Sequence, residues 1–469
     1  MLSRNFRLTN STIVLAIVAS LSCFLTYFVE AAPIVSGYRW KDTNGNYIQA
    51  HGGGIYKLNS TYYWIGEDKT DNSGSFQGFH LYSSSDLSTW KDEGLALSPS
   101  NKTTPVGERP KIIFNKKNQE YVLWYHAEDS NYSLAETGVA TSKTITGPYT
   151  FQSAFQPLQM QSRDMSVYVD DDEQGYLIFA TNDNLDLAIA TMNADYTNVT
   201  EVVYTIKNQR YEGSGMFKKD GKYYLVVSHQ SGWKPNDDVV MVADSPRGPF
   251  SEPTGIAPSG TLTYASQNNF DLVVEGQSST TYMYMGDRWR DGKLGESSYI
   301  WQRFAFDSNS GLPTIEFADA WNLDAQSGNS NSYSTKQFTV GKNAITGTGV
   351  KVANCSSCPD GKIATYVGNS NDATVTFQGV QSPNNVAGDY WIGIYYVDGD
   401  AYPTYRNATV SANGGTTSLV ECAPGGSTSG NLFSEPVQLS LKEGDNTITI
   451  GNPTGYAPDI SDIVVYQSS

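Results

Sequence analysis

The sequence predicts an all-β protein: a five-bladed β-propeller followed by a β-sandwich module of the jelly-roll kind. Two observations lead there. An aromatic-aliphatic phrase that ends abruptly in polar and charged groups recurs five times, as YYWIGED at 62–68, YVLWYHAED at 121–129, GYLIFATND at 175–183, YYLVVSHQSGW at 223–233 and YMYMGDRW at 282–289. The starts lie 59, 54, 48 and 59 residues apart. Each run is too short for a helix, rich in Tyr, Trp, Val and Ile, and punctuated by Gly, Asn and Asp, as strands are. A period of about 50 residues fits one sheet per copy around a central axis. The polar ends of equivalent strands then meet at one end of the axis, where a site is expected. The second observation is a change of pattern near residue 336, where short alternating strands take over and no long helix appears.

Taken in order, the chain opens with Arg4 and Arg7, an apolar stretch from Ile13 to Val29, and Ala31-Ala32-Pro33. This is the order of a secretory signal peptide, assigned to residues 1–32. The apolar stretch is long for a signal core and short of the roughly 20 residues of a spanning helix, which leaves an uncleaved anchor as the alternative, and no other apolar run could span a membrane. A secreted protein without a membrane partner is expected. Asn-x-Ser/Thr sequons at Asn59, Asn101, Asn131, Asn198, Asn354 and Asn407 fit glycosylated surface loops.

Residues 33–325 hold the five copies. Ser85–Trp90, Gly147-Pro148-Tyr149 and Gly248-Pro249-Phe250 mark outer strands, where proline is tolerated. Residues 326–335, QSGNSNSYST, read as a linker. Residues 336–469 carry ATVTF at 373–377, YWIGIYYV at 390–397, ATVSA at 408–412, VQLSL at 437–441, NTITIG at 446–451 and DIVVY at 462–466, an antiparallel sandwich pattern. Cys23 leaves with the signal. Cys355, Cys358 and Cys422 lack the second pair and nearby His of a zinc site, so one disulfide and one free thiol are expected, with the pairing open.

A net charge of −17 argues against nucleic-acid binding, which needs a basic face. Nothing signals oligomerisation, and a monomer is expected. The 31 Tyr and 9 Trp offer flat faces with polar handles, which suit sugar rings. No Gly-x-Ser-x-Gly elbow and no phosphate-binding Gly-Lys-Ser/Thr loop occur. Four His in all are too few for a His-rich metal site, and no metal ligands are assigned. Carboxylates among aromatics leave glycoside chemistry. Glu108 stands beside Arg109 and Lys111, which favour its charged form. Asp164 precedes a strand and the acidic turn 170–172, which lacks the spacing of a calcium loop. Glu212, between Tyr211 and Gly213-Ser214-Gly215, is the candidate general acid, because partial desolvation raises a carboxyl's pKa. His229–Trp233 offers an aromatic for stacking, and Tyr264–Phe270 offers amides for hydroxyls.

QAHGGGI at 49–55, ERPKIIFN at 108–115, SRDMSVYVDDD at 162–172, SHQSGW at 228–233, SQNNFDL at 266–272 and MGDRW at 285–289 together resemble the exo-β-1,3-galactanase branch of glycoside hydrolase family 43. The resemblance implies an inverting enzyme that removes galactose from the non-reducing end of β-1,3-galactan and tolerates β-1,6 branches, so that arabinogalactan-protein glycans are substrates. It implies Glu212 as general acid, Asp164 as the carboxylate that tunes it, and Glu108 as a sugar-binding acid. The base is open between Glu108 and Gln267, and because a neutral amide is a very poor base, Gln267 ranks as water-positioning and Glu108 as candidate base. Tyr132, Asn182, Gln230, Gly232 and Trp233 match subsite positions. Most members place an aspartate base on the first blade; here Gln49–Gly54 holds no acid. That departure motivates one alternative, an inactive galactan-binding lectin-like protein. A second, a related exo-enzyme on arabinan or xylan, is disfavoured by the same missing aspartate and by the SHQSGW and SQNNF segments.

TYVGN at 365–369, TYRNATVS at 404–411 and GYAPDISDIVVY at 455–466 resemble a family 35 carbohydrate-binding module. Tyr366, Arg406, Asn407, Tyr456 and Asp459 match its galactose-contacting set. Such modules hold a structural calcium through opening acids. Here the stretch Tyr333–Gln337 has none, which argues against the ion. No cofactor is expected for catalysis.

Overall fold

The computed structural model describes residues 32–100, 102–426 and 430–467. The predicted signal peptide lies outside them apart from Ala32, and Asn101 lies outside as well. Among the described residues no helix is long and apolar enough to cross a membrane. The five other sequon asparagines are exposed.

The fold is all-β. Five four-stranded antiparallel sheets follow one another, each with its strands in chain order. Their first strands are His51–Leu58, Val106–Asn115, Met165–Val169, Tyr211–Lys219 and Gln267–Glu275. The recurring phrase forms the second strand each time: Thr61–Glu67, Glu120–Glu128, Gly175–Thr181, Lys222–His229 and Thr280–Arg288. These strands are apolar almost throughout because both faces are covered. Ile65 and Leu81 of the first sheet pack on Leu123 and Tyr125 of the second. Trp124 and Val139 pack on Leu177 and Phe179 of the third, and Ile178 and Ile189 pack on Leu225 and Met241 of the fourth. Val226 and Val240 pack on Tyr284 and Ile300 of the fifth. Met283 and Trp301 of the fifth then pack on Trp64 and Trp90 of the first. The five sheets therefore follow a cyclic order, with their first strands innermost. Gly147-Pro148 and Gly248-Pro249 lead into the fourth strands of their sheets, Thr150–Phe155 and Thr254–Gly255.

Ile34–Val35 pairs with the strand Ala320–Asp324, Ile34 opposite Trp321 and Val35 opposite Ala320. Ala320–Asp324 pairs in turn with Asn329–Ser332. The stretch 326–335 is thus not a free linker. Asn329–Ser332 is a strand, and Ser334–Thr339 pairs with Asp459–Gln467. Small polar side chains make such a stretch look like a tether, but a ladder uses the backbone and needs no apolar side chain.

Beyond it, two antiparallel sheets enclose one core of Phe377, Ile392, Ile394, Val410, Ile448, Ile450 and Ile463. All six strands expected there lie inside observed strands. Cys355 and Cys358 form a disulfide, and Cys422 is a buried free thiol.

Candidate active site

A cavity of about 360 Å³ opens where polar strand ends converge, lined by Glu67, Glu108, Arg109, His126, Tyr132, Asp164, Asn184, Glu212, Gln230, Gly232, Trp233, Gln267 and Trp289, among others. Four of the five innermost strands share one local device that aims these groups; Met165–Val169 pairs without it. Pairing slips between His51 and Gly54, Glu108 and Lys111, Glu212 and Gly215, and Asn268 and Phe270. These are bulges, which bend a strand and re-aim its side chains. Gly213 takes φ +57°, and a Cβ there would meet the Asn268 carbonyl oxygen at 2.7 Å, so glycine is required beside Glu212. Arg109 takes φ 56° without being glycine. That costs about 1–3 kcal/mol and persists only where surroundings hold it.

They do hold it. The Arg109 amide donates to Glu67 Oε1 at 2.9 Å. Its Nη2 lies 2.8 Å from Asp164 Oδ2 and donates to Gln267 Oε1 at 2.6 Å, and its Nη1 bonds the Asn268 carbonyl and the Asn269 side chain. Gln267 accepts a second bond from Trp289 Nε1 at 3.0 Å and donates its own Nε2 to Glu212 Oε1 at 2.9 Å. Before Gln267 the chain makes a left-handed turn at Leu262–Ala265, with φ between 48° and 58°. Such residues cost about 1–2 kcal/mol each. Asp237 steadies this turn, accepting from the amides of Gly260 and Leu262.

The carboxyls are driven apart electrically. Burial, then the charge of Asp164, push Glu212 up to about 8, so it is protonated at neutral pH. Burial would raise Glu108 too, but His126, Lys69 and the Tyr132 hydroxyl outweigh it and hold Glu108 down at about 2. Tyr132 donates to Glu108 Oε1 at 2.6 Å, and His126 Nδ1 lies 3.1 Å from Oε2. Burial works against the His126 cation, yet Glu108 and Glu128 raise it to about 9. One neutral acid and one fixed carboxylate in the same cavity is the arrangement of acid-base chemistry at a glycosidic bond.

The structure brings Glu108, Asp164, Glu212, Gln267, Tyr132, Gln230, Gly232 and Trp233 to this cavity. It does not bring Asn182. That residue is exposed in a turn, its Nδ2 bonded to Asp186 at 3.0 Å, and Asn184 takes the lining position. Sequence reasoning also missed Glu67, His126 and Trp289, although all three lie in or just after the polar ends of the recurring phrase. Ligand atoms of Glu108, His126 and Asp164 lie within 4.8 Å of one another, the spacing of a metal site. All three are already engaged by Tyr132, Glu128 and Arg109, and a cation would have to displace Arg109.

On the C-terminal sheets, Tyr366 and Tyr456 are 55% and 49% exposed, with ring centroids 6.4 Å apart. Arg406 grips Asp400 through two bonds of 2.8 and 2.9 Å and reaches the Ala457 carbonyl. Burial raises the pKa of Asp459 against the pull of Arg406. Asn407 is exposed on the same strand as Arg406. At the position expected for calcium, Gln337 Nε2 donates to the buried Asp462 at 2.7 Å. One carboxylate facing an amide donor does not match the six to eight oxygens calcium takes.

Comparison with known proteins gives the context. A family model for glycosyl hydrolases family 43 matches residues 51–241. The exo-β-1,3-galactanase of Phanerochaete chrysosporium, solved with galactose, is 43% identical, and the match covers 93% of this chain and 100% of that one at a TM-score of 0.87. Its variant with alanine in place of a glutamate, solved with β-1,3-galactotriose, matches equally. The exo-β-1,3-galactanase from Clostridium thermocellum is 30% identical over 84% of this chain and 87% of that one, at a TM-score of 0.62. No curated protein matches. A likeness of that extent over nearly the whole length settles the family: this chain belongs to glycosyl hydrolases family 43 and is a glycoside hydrolase.

Proposed function

We propose that the protein is a secreted, monomeric exo-β-1,3-galactanase that shortens the backbone of arabinogalactans from the non-reducing end with inversion. It releases galactose and β-1,6-branched oligosaccharides. On this reading the five sheets are the blades of a propeller with the cavity at its axial mouth. The C-terminal sheets are a sandwich of the family 35 carbohydrate-binding kind, gripping galactan through Tyr366, Arg406, Asn407, Tyr456 and Asp459. The observation that carries the reading is Glu212, a carboxyl kept protonated near neutral pH in the same cavity as the ionised Glu108 and the Trp233 ring. The β-1,3-galactotriose bound by the 43% identical relative supports the linkage.

Glu212 gives its proton to the glycosidic oxygen as the bond breaks. The carboxylate left behind is stabilised by the Gln267 N–H and the nearby Arg109 guanidinium. Asp164 keeps the acid protonated beforehand and anchors Arg109. Inversion needs an acceptor for the water's proton on the opposite side of the sugar, about 6.5–9.5 Å from the acid. Gln267 is a poor one, since both lone pairs of Oε1 face N–H donors. It orients groups, and Glu108 is the base. A weak base suffices for water attacking an oxocarbenium-like centre, because the water becomes acidic as its bond to carbon forms.

The test is time-resolved proton NMR of β-1,3-galactotriose. α-Galactose appearing first supports the reading, and β-galactose appearing first refutes inversion. Glu212→Gln is expected to abolish release and keep binding. Binding by the unaltered protein without any release would leave a galactan-binding protein instead.

A further inference from the structure

We propose that the C-terminal sheets help to build the active site: they position Trp289 and the turn before Gln267, and through these the acid Glu212. The inference rests on the reading of Glu212 as general acid. Two segments bracket Gln267, and both are held from the C-terminal side. The first is Arg288-Trp289-Arg290. The hydroxyls of Tyr402 and Tyr405 both donate to the Trp289 carbonyl, at 3.0 and 3.2 Å, using both of its lone pairs. On one side Arg288 makes a buried ion pair with Glu435 at 2.6 Å. On the other, Arg290 meets Glu421 through two N–H groups and lies 5.0 Å over the Tyr405 ring. The residue fixed in this way is the one whose indole donates to Gln267 Oε1.

The second segment is the left-handed turn Leu262–Ala265. Ala265 is buried within the C-terminal core cluster, and Leu262 packs against it. Arg288 Nη2 also donates to the Tyr264 carbonyl at 2.8 Å, which joins the two segments. Gln267 follows the turn by two residues, and its amide bonds Glu212. A module that served only to tether substrate would have no reason to saturate the backbone carbonyl of an active-site tryptophan. Tyr402 and Tyr405 are therefore positioning residues.

The experiment uses the full chain with Tyr402→Phe and Tyr405→Phe together, and β-1,3-galactobiose, a substrate with only two sugar units for the cavity. The expected result is a kcat lowered about tenfold with KM nearly unchanged. The high-pH limb of kcat/KM should also move upward, because loosening Gln267 weakens a hydrogen bond that favours the Glu212 carboxylate. An altered melting temperature with unchanged kcat and pH limb would reduce these contacts to a structural role and overturn the proposal, as would no change at all. If the double variant fails to fold, each single variant is read by the same criteria. The acid assignment is tested separately by Glu212→Gln, so an active Glu212→Gln variant would sink that reading, whereas unchanged Tyr→Phe kinetics would sink only this one.

Discussion

Replacing Glu212 by Gln should stabilise the protein while it removes activity, and the gain should depend on pH. The folded pKa of Glu212 is about 8 against an ordinary 4.5. A folded value raised above the unfolded one means that stability is whole below about 4.5 and is lost as pH climbs to the folded value. Roughly 2.5 pH units separate 4.5 from neutrality, each worth about 1.4 kcal/mol. Keeping Glu212 in place therefore costs on the order of 3 kcal/mol at pH 7. Gln is nearly isosteric and can still accept the Gln267 N–H, so it escapes that cost. Unfolding entropy of about 2.1 cal/mol/K per residue over a chain of this size converts 3 kcal/mol into a rise of roughly 3 °C in melting temperature. The assay is calorimetry of both proteins near pH 4.5 and near pH 7. The difference should be small at the lower pH and largest toward pH 8. A gain that is constant across pH, or a loss at neutral pH, would refute the argument that buried charge sets this site's chemistry.

Further outcomes follow from the same geometry. Asp164→Asn removes a charge that holds Glu212 protonated, so the high-pH limb of kcat/KM should move down from about 8; a limb that stays or rises counts against the assignment. Glu108→Gln should lower kcat by about 100-fold or more. Because Glu108 is depressed to about 2, it stabilises the fold above its unfolded value near 4.5 and loses that contribution as pH falls through 2; the variant should be less stable than the parent at neutral pH and match it only in strong acid. Tyr366→Ala with Tyr456→Ala should weaken retention on polymeric galactan in affinity electrophoresis by about fivefold or more, as expected for the loss of stacking faces. Glu435→Gln leaves Arg288 buried without its partner and should cost about 3 kcal/mol, read from the unfolding midpoint.

Much of this was legible because the recurring phrase reports burial directly. A strand covered on both faces must be apolar throughout, and five such strands at one spacing leave few architectures. The polar residues after each run mark where cover ends, which is why Glu108, Glu212 and Gln267, near the starts of neighbouring strands, meet in one cavity. The phase of a turn is less legible. Asn182, Asp183 and Asn184 all take left-handed backbone, and only coordinates separate the exposed Asn182 from the cavity-lining Asn184. Glu67 and His126 look like ordinary strand residues until their partners are known, the Arg109 amide and Lys69 for Glu67 and the carboxylates of Glu108 and Glu128 for His126. Residues 326–335 misled because ladder pairing leaves no trace in side chains. The ties from Arg288 and Arg290 reach partners more than a hundred positions away, and no local pattern encodes them.

The short strand Ile34–Val35 has a consequence for how the molecule is made. Its partner, Ala320–Asp324, comes from the far end of the five sheets, and both Ile34 and Val35 are buried there. Ser36 adds a bond to the Trp301 carbonyl and receives one from Gln302. During synthesis these first residues wait for nearly the whole five-sheet region before they can dock, so this seal is a late event of high contact order. Until then the first and fifth sheets expose the apolar faces that later meet, including Trp64 and Trp301. The nascent chain therefore carries an unfinished, adhesive seam through most of its translation, and trimming even two or three residues past Pro33 would remove the piece that closes it.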